Sequence, residues 1–139
     1  MNNHQLILTN SLDQLDTLAR RLEQLEKDWQ LPADLTMNLN LVLEEIFTNI
    51  VNYGFKDAGS HDIHITFQYD QQEITITIID DGIPFNPLEA VQPPVLNAGI
   101  EDTPVGGLGF HIVRQLMDKI NYNRENNKNH LILSKEVRS

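Results

Sequence analysis

The sequence predicts an α+β fold, a two-layer sandwich in which helices cover one face of a sheet. Three observations carry this. Apolar residues recur at three- and four-residue spacing in three separate stretches, which predicts helices. Around them lie short segments of apolar–polar alternation, which predicts strands with one apolar face. The other face of those strands is rich in Thr, Gln and His, so one side of the sheet can meet water while the opposite side needs helices over it.

Each element follows in order. Gln5–Thr9 reads as a short strand, stopped by Asn10 and Ser11. Ser11 with Gln14 makes a capping-box pattern for a first helix, with Leu15, Leu18, Leu22, Leu25 and Trp29 on one face. Arg20, Arg21, Glu23 and Lys27 fall largely on the other face, which is a solvated side or a docking face for a partner. Pro32 suits the start of a second helix. That helix, Leu35 to Phe55, is the longest periodic stretch of the chain, and Gly54 is placed to end it in a left-handed cap.

A turn at Lys56–Ser60 leads into a hairpin. Ile63, Ile65, Phe67 and Tyr69 alternate with polar residues in its first strand, and Ile74, Ile76 and Ile78 do so in its second. Asp80-Asp81-Gly82 closes it. Residues 83–105 then carry Pro84, Pro87, Pro93, Pro94 and Pro104 with no sustained period, apart from one possible helical turn at Leu88–Val91. So long a loop inside a compact domain is often functional, and it reads as a lid, with disorder in the unliganded state as the alternative. Gly106-Gly107-Leu108-Gly109 opens a third helix, with Phe110, Val113, Leu116 and Met117 on its apolar face. Strands at 120–124 and 130–136, joined by the polar turn Glu125–Asn129, complete the chain.

Composition narrows the function classes. The 139 residues suit one domain, 1–139, with one core. No apolar run reaches membrane-spanning length and no basic region precedes an apolar one at the N-terminus, so neither a signal peptide nor a membrane partner is expected. The absence of cysteine excludes disulfides and thiolate metal sites and fits a cytoplasmic protein. The net charge of −10, without a basic stripe, repels nucleic acid. An acidic chain that binds a nucleotide needs a metal ion and backbone amides to do so.

Three constellations carry chemistry. In the long helix, Glu45 and Asn49 stack four residues apart on one edge of the apolar face, and Asn52 continues the row. This is either the wet edge of an amphipathic helix or one side of a site. An amide oxygen suits Mg²⁺, which takes oxygen ligands, and a carboxylate one turn earlier can accept a hydroxyl proton. Asp80-Asp81-Gly82 is either a tight turn or a pocket wall. A carboxylate only accepts hydrogen bonds, so it selects adenine, which offers an amine, over guanine, which presents a carbonyl there. The third is the glycine cluster at a helix start, either a hinge or a phosphate site made of free amides and the helix dipole. No Walker lysine follows it, and no protein-kinase-fold motif set is present.

Together, in this order, the three resemble the Bergerat ATP-binding fold of the histidine kinase-like ATPases, and in particular its small bacterial branch, the anti-sigma factor serine kinases of the RsbW and SpoIIAB type. The resemblance rests on Glu44–Asn49, Asn52–Phe55, Asp80–Gly82 with Phe85-Asn86-Pro87, Gly106–Asp118 and Leu131–Lys135. It implies a mixed, mostly antiparallel sheet with three helices on one face. It further implies Glu45 as general base, Asn49 as Mg²⁺ ligand, and Asp80 on the adenine amine. Gly82 would line the ring, while Gly106, Gly107, Leu108 and Gly109 would meet the phosphates.

The implied activity is Mg²⁺-dependent phosphoryl transfer from ATP to a serine of a STAS-type antagonist, by a homodimer that binds a sigma factor. The alternative is an ATP- or ADP-sensing module with little or no transfer. The chain departs from the family pattern at Pro84, where the wider fold often has glycine, at Val105, where the turn usually has glycine, and at Asn129, where the broader fold places Thr or Ser. The histidines show no metal-ligand spacing; His61 and His64 are expected to face solvent, His111 to lie at the surface or boundary, and Asp118 to have a structural role.

Overall fold

The computed structural model describes residues 2–85 and 107–137. The elements are β1 (Asn2–Thr9), α1 (Gln14–Trp29), α2 (Ala33–Tyr53), β2 (Asp62–Tyr69), β3 (Glu73–Asp80), α3 (Gly107–Leu116), β4 (Lys119–Glu125) and β5 (Lys128–Glu136). The strands form a five-stranded sheet in the order β1-β2-β3-β5-β4. All four pairings are antiparallel, so the parallel partner of a mixed sheet does not occur among the described residues. No described helix is long and apolar enough to cross a membrane.

The alternation in the strands sorts side chains as expected. Ile63, Ile65 and Phe67 of β2 and Ile74, Ile76 and Ile78 of β3 are buried on one face. Leu18, Leu22 and Leu25 of α1, the apolar stripe of α2 from Leu35 to Phe47, and Val113 of α3 join them in one core. Trp29 at the end of α1 stacks on Tyr69 with ring centroids 5.8 Å apart. The opposite face keeps Thr66, Gln68, Thr75 and Thr77 half-exposed and His64 exposed.

Several local expectations change. Ser11 does not cap α1; its carbonyl accepts from Gln14 N, while the Gln14 side chain reaches back to Thr9 N. Pro32 precedes α2 as its N-cap rather than opening its first turn. Gly54 ends α2 in a right-handed conformation, not a left-handed cap, and its N–H completes the helix on Ile50 O at 2.8 Å. The last hairpin turns more tightly than the five polar residues suggest. Asn126 and Asn127, both with positive φ, make a two-residue turn whose twist matches its strands. The lid expected at 83–105 lies outside the described residues beyond Phe85, as does the helical turn at 88–91.

Phe47 is 2% exposed at the centre of the core. Phe47→Ala is expected to lower stability by about 3–5 kcal/mol, because the cavity it leaves is ringed by residues held in place on both layers. Chemical denaturation with an unchanged slope checks this; a loss under about 1 kcal/mol would mean that α2 is not the central packing element.

Candidate nucleotide-binding site

The site is built where α2 and β3 end. Gly54, just past α2, offers its carbonyl to Ile83 N at 2.8 Å. That bond draws the turn after β3 against the helix end. Gly82 sits in the gap, and a Cβ there would stand 2.2 Å from Gly54 O and 2.8 Å from Asp80 Oδ1. Glycine is required at 82 for space, since backbone approaches backbone there.

Asp80 ends β3 on the buried face, 6% exposed. Its Oδ1 accepts from Gly82 N at 2.9 Å and from Asn129 Nδ2 at 3.0 Å. No described hydrogen bond reaches Oδ2, which leaves that oxygen for a ligand. Burial pushes the Asp80 carboxyl above the ordinary carboxylate range; the two hydrogen bonds and Arg124 oppose this, and neighbouring Asp81 adds to it. Register explains the grouping, because Asp80 pairs with Asn129 of β5 and Asn129 pairs with Arg124 of β4. Arg124 Nη1 donates to Gly82 O at 2.9 Å.

On α2, Glu45 and Asn49 are half-buried and Asn52 is exposed. Asn49 Oδ1 is itself buried and has no hydrogen-bond partner among the described residues. An orphaned buried amide oxygen is costly unless something meets it. A hydrated divalent cation fits that oxygen in charge and donor type. Asn49 precedes Gly54 by about 7.5 Å of helix rise, so the row it heads runs toward the turn that holds Asp80. α3 packs against α2, which brings the third constellation to the same helix. Gly107, Leu108 and Gly109 form the first residues of α3, where backbone N–H groups lack helical partners. Gly106 and Val105 lie outside the described residues.

The described residues therefore bring the turn that holds Asp80 and Gly82 against the end of α2, the helix that carries Glu45 and Asn49, and pack α3 against that same helix. Against this geometry stand the comparisons with known proteins. A family model described as the histidine kinase-like ATPase domain matches residues 8–135. The chain belongs to that family. The serine/threonine-protein kinase BtrW of Bordetella bronchiseptica is 31% identical over 102 residues, which cover 73% of this chain and 71% of the relative. The serine-protein kinase RsbW of Bacillus mycoides is 33% identical over 87 residues, and there the match spans 60% of this chain and only 53% of the relative. The anti-sigma F factor of Bacillus licheniformis is 26% identical over 125 residues, 86% of this chain and 82% of the relative. Among solved structures, the RsbU and RsbW domains of Rv1364c from Mycobacterium tuberculosis superpose with a TM-score of 0.68 at 12% identity, over all of this chain and 34% of that one. That likeness concerns the fold. Two of these relatives are named as protein kinases, and this chain shares the ATPase-like domain family.

Sequence reasoning missed the residues that surround Asp80. Asn129 stood out only as a departure from a pattern, and Tyr122 and Arg124 not at all. The Asn126-Asn127 turn could have paired Arg124 with Asn129, but no local signal places β5 beside β3. His61 was expected to face solvent. Its side chain is about 21% exposed, with Nε2 2.9 Å from Asp57 Oδ1 and Nδ1 3.2 Å from Asp81 Oδ1. The ring stacks on Phe55 with centroids 4.3 Å apart. His61 thus clasps the loop after α2 to the residue beside Asp80. His64 and His111 are exposed, as expected. Asp118 is structural, its Oδ2 accepting from Glu136 N at 2.7 Å.

Two outcomes follow from this electrostatics. Burial raises the Asp80 carboxyl above its ordinary range, so the group favours the fold below the unfolded value and loses that contribution as pH rises through the folded one. Asp80→Asn is therefore expected to leave the melting temperature of the free protein unchanged or higher at pH 8, while adenine-nucleotide affinity in calorimetry falls at least about tenfold. A lower melting temperature with affinity intact would contradict it. The hydrogen bond to Asp57 holds the His61 imidazole above 6.5. The clasp is then fully present below the unfolded imidazole pKa and fades as pH rises through the folded one. An NMR titration is expected to show His61 returning toward its ordinary value in Asp57→Asn; an unmoved titration would rule the clasp out.

Proposed function

We propose that this chain is a Mg²⁺-dependent serine/threonine protein kinase acting as an anti-sigma regulator. In this reading it transfers the γ-phosphoryl group of ATP to a serine of a STAS-type antagonist protein. Residues 1–139 work as one domain, as a homodimer in the cytoplasm, with a sigma factor as the other partner. The observation that carries the reading is Asn49 Oδ1, buried without a partner among the described residues, one helical turn beyond Glu45, on the helix whose end is bonded to Ile83, just after the Asp80–Gly82 turn. The names of the curated relatives support the direction of the activity.

The residues divide the work. Asp80 Oδ2 accepts from the adenine amine, and the bare backbone at Gly82 lets the ring lie close. The unpaired amides at the start of α3, Gly107 to Gly109 with Gly106 before them, meet phosphate oxygens, and the helix dipole favours the negative charge there. Asn52 continues the polar row of α2 toward the nucleotide. Mg²⁺, held through Asn49 Oδ1, would neutralise phosphate charge. Glu45 takes the proton of the attacking serine hydroxyl as the serine Oγ–P bond forms and the bond from the γ-phosphorus to its bridging oxygen breaks, leaving ADP.

Glu45→Gln keeps size and hydrogen bonding but cannot accept that proton. Transfer from labelled ATP to a STAS-type antagonist is expected to fall by about 100-fold or more, with ADP affinity nearly unchanged. Transfer by the variant at the parent rate would remove Glu45 from the chemistry. Nucleotide binding by the parent chain with no transfer to any antagonist would leave a nucleotide-sensing module in place of the kinase.

A further inference from the structure

Asn129 lies beside Asp80 in the site described above, and its bonding exceeds what a structural amide needs. It is buried, 6% exposed, and every hydrogen-bonding position it has is engaged. Nδ2 donates to Asp80 Oδ1 at 3.0 Å and to Ile83 O at 2.8 Å. Oδ1 accepts from Tyr122 OH and, at 3.3 Å, from Phe85 N. An amide side chain offers two donors and two acceptor positions, so the set is complete. Its orientation is dictated by its partners. Asp80 and Ile83 O present acceptors only, and Phe85 N is a donor only, so the amide cannot be turned over without opposing like groups at three contacts. A threonine or serine hydroxyl has one proton and could not serve Asp80 and Ile83 O together.

We propose that Asn129 is a positioning and specificity-determining residue for adenine. Anchored by Tyr122, its amide occupies one oxygen of Asp80, leaves the other as a pure acceptor aimed at the ligand, and fixes residues 83–85 to that same carboxylate. This rests on the nucleotide reading above. Its consequence is that the recognition oxygen and the chain leaving β3 are positioned by one side chain. Displacing either one disturbs the other. The charged groups acting on Asp80 are Asp81 beside it on the chain and Arg124 from β4, whose guanidinium is engaged with Gly82 O. Neither donates a described hydrogen bond to Asp80, so Asn129 Nδ2 is the side-chain donor to that carboxylate among the described residues.

The test is calorimetric titration of ADP and GDP with Mg²⁺ between pH 5.5 and 8.5, on the parent chain, Asn129→Thr and Tyr122→Phe, with thermal melts alongside. For Asn129→Thr, ADP affinity at pH 7 is expected to fall about tenfold and the acid limb of binding to move up by about one pH unit, the effect of losing one hydrogen bond to a charged group. The preference for ADP over GDP narrows as well. Tyr122→Phe frees one end of the amide and moves the limb in the same direction by less. A folded Asn129→Thr with the parent's affinity and acid limb overturns the proposal. So does an equal loss for ADP and GDP with the limb unmoved, which is what a structural role gives. Should Asn129→Thr not fold, the limb in Tyr122→Phe decides, shifted for and unshifted against. A parent chain that binds no ADP overturns the nucleotide reading itself, and that failure shows before any variant is made.

Discussion

The close approach of Gly54 to Gly82 and Ile83 is the contact on which the site depends. One backbone bond of 2.8 Å joins the end of the longest helix to the turn after the central strand. Gly54 and Gly82 both lack a side chain, and at Gly82 none could be inserted without colliding with Gly54 O. A helix edge carrying Glu45 and Asn49 and a strand end carrying Asp80 are ordinary features apart. The bond at this point ties that strand end to the end of that helix, and α3 packs against the same helix.

That arrangement is held at a cost that the fold meets elsewhere. Asp80 is buried against the preference of a carboxylate for water, and Asn49 leaves an amide oxygen buried and without a partner among the described residues. The stabilisation comes from the continuous core between sheet and helices, with Phe47 and Phe67 fully enclosed. The polar cluster at the sheet end is held together by its own hydrogen bonds. Asn129 donates to Asp80 and Ile83 O, Arg124 donates to Gly82 O, and Tyr122, which also packs against the core, donates to Asn129.

How much was legible depends on the range of the forces involved. The strands around Ile63–Tyr69 and Ile74–Ile78 and the helix through Leu39 and Ile46 follow from periodicity, which is a local property. Their bounds shifted by a few residues, because caps and turns answer to neighbours the sequence does not reveal. Ser11 lost its expected cap to a turn, and Gly54 kept a right-handed conformation because its carbonyl had a partner in Ile83. His61 was misplaced in part for the same reason: Asp57 is a local partner four residues away, but Asp81 reaches the ring only when β2 and β3 pair.

By itself, the sequence determined the element types, the two-layer division between an apolar and a polar sheet face, and the three constellations with their family likeness. Each of these is written in spacing along the chain. The tertiary structure alone decided that β5 lies between β3 and β4, and so that Asn129 meets Asp80. It also decided which carboxylate oxygen stays open, and that Gly82 is required for space rather than for an unusual dihedral angle. Hydrogen bonds act only over about 3 Å, and a pairing 49 residues apart leaves no periodic trace in the chain.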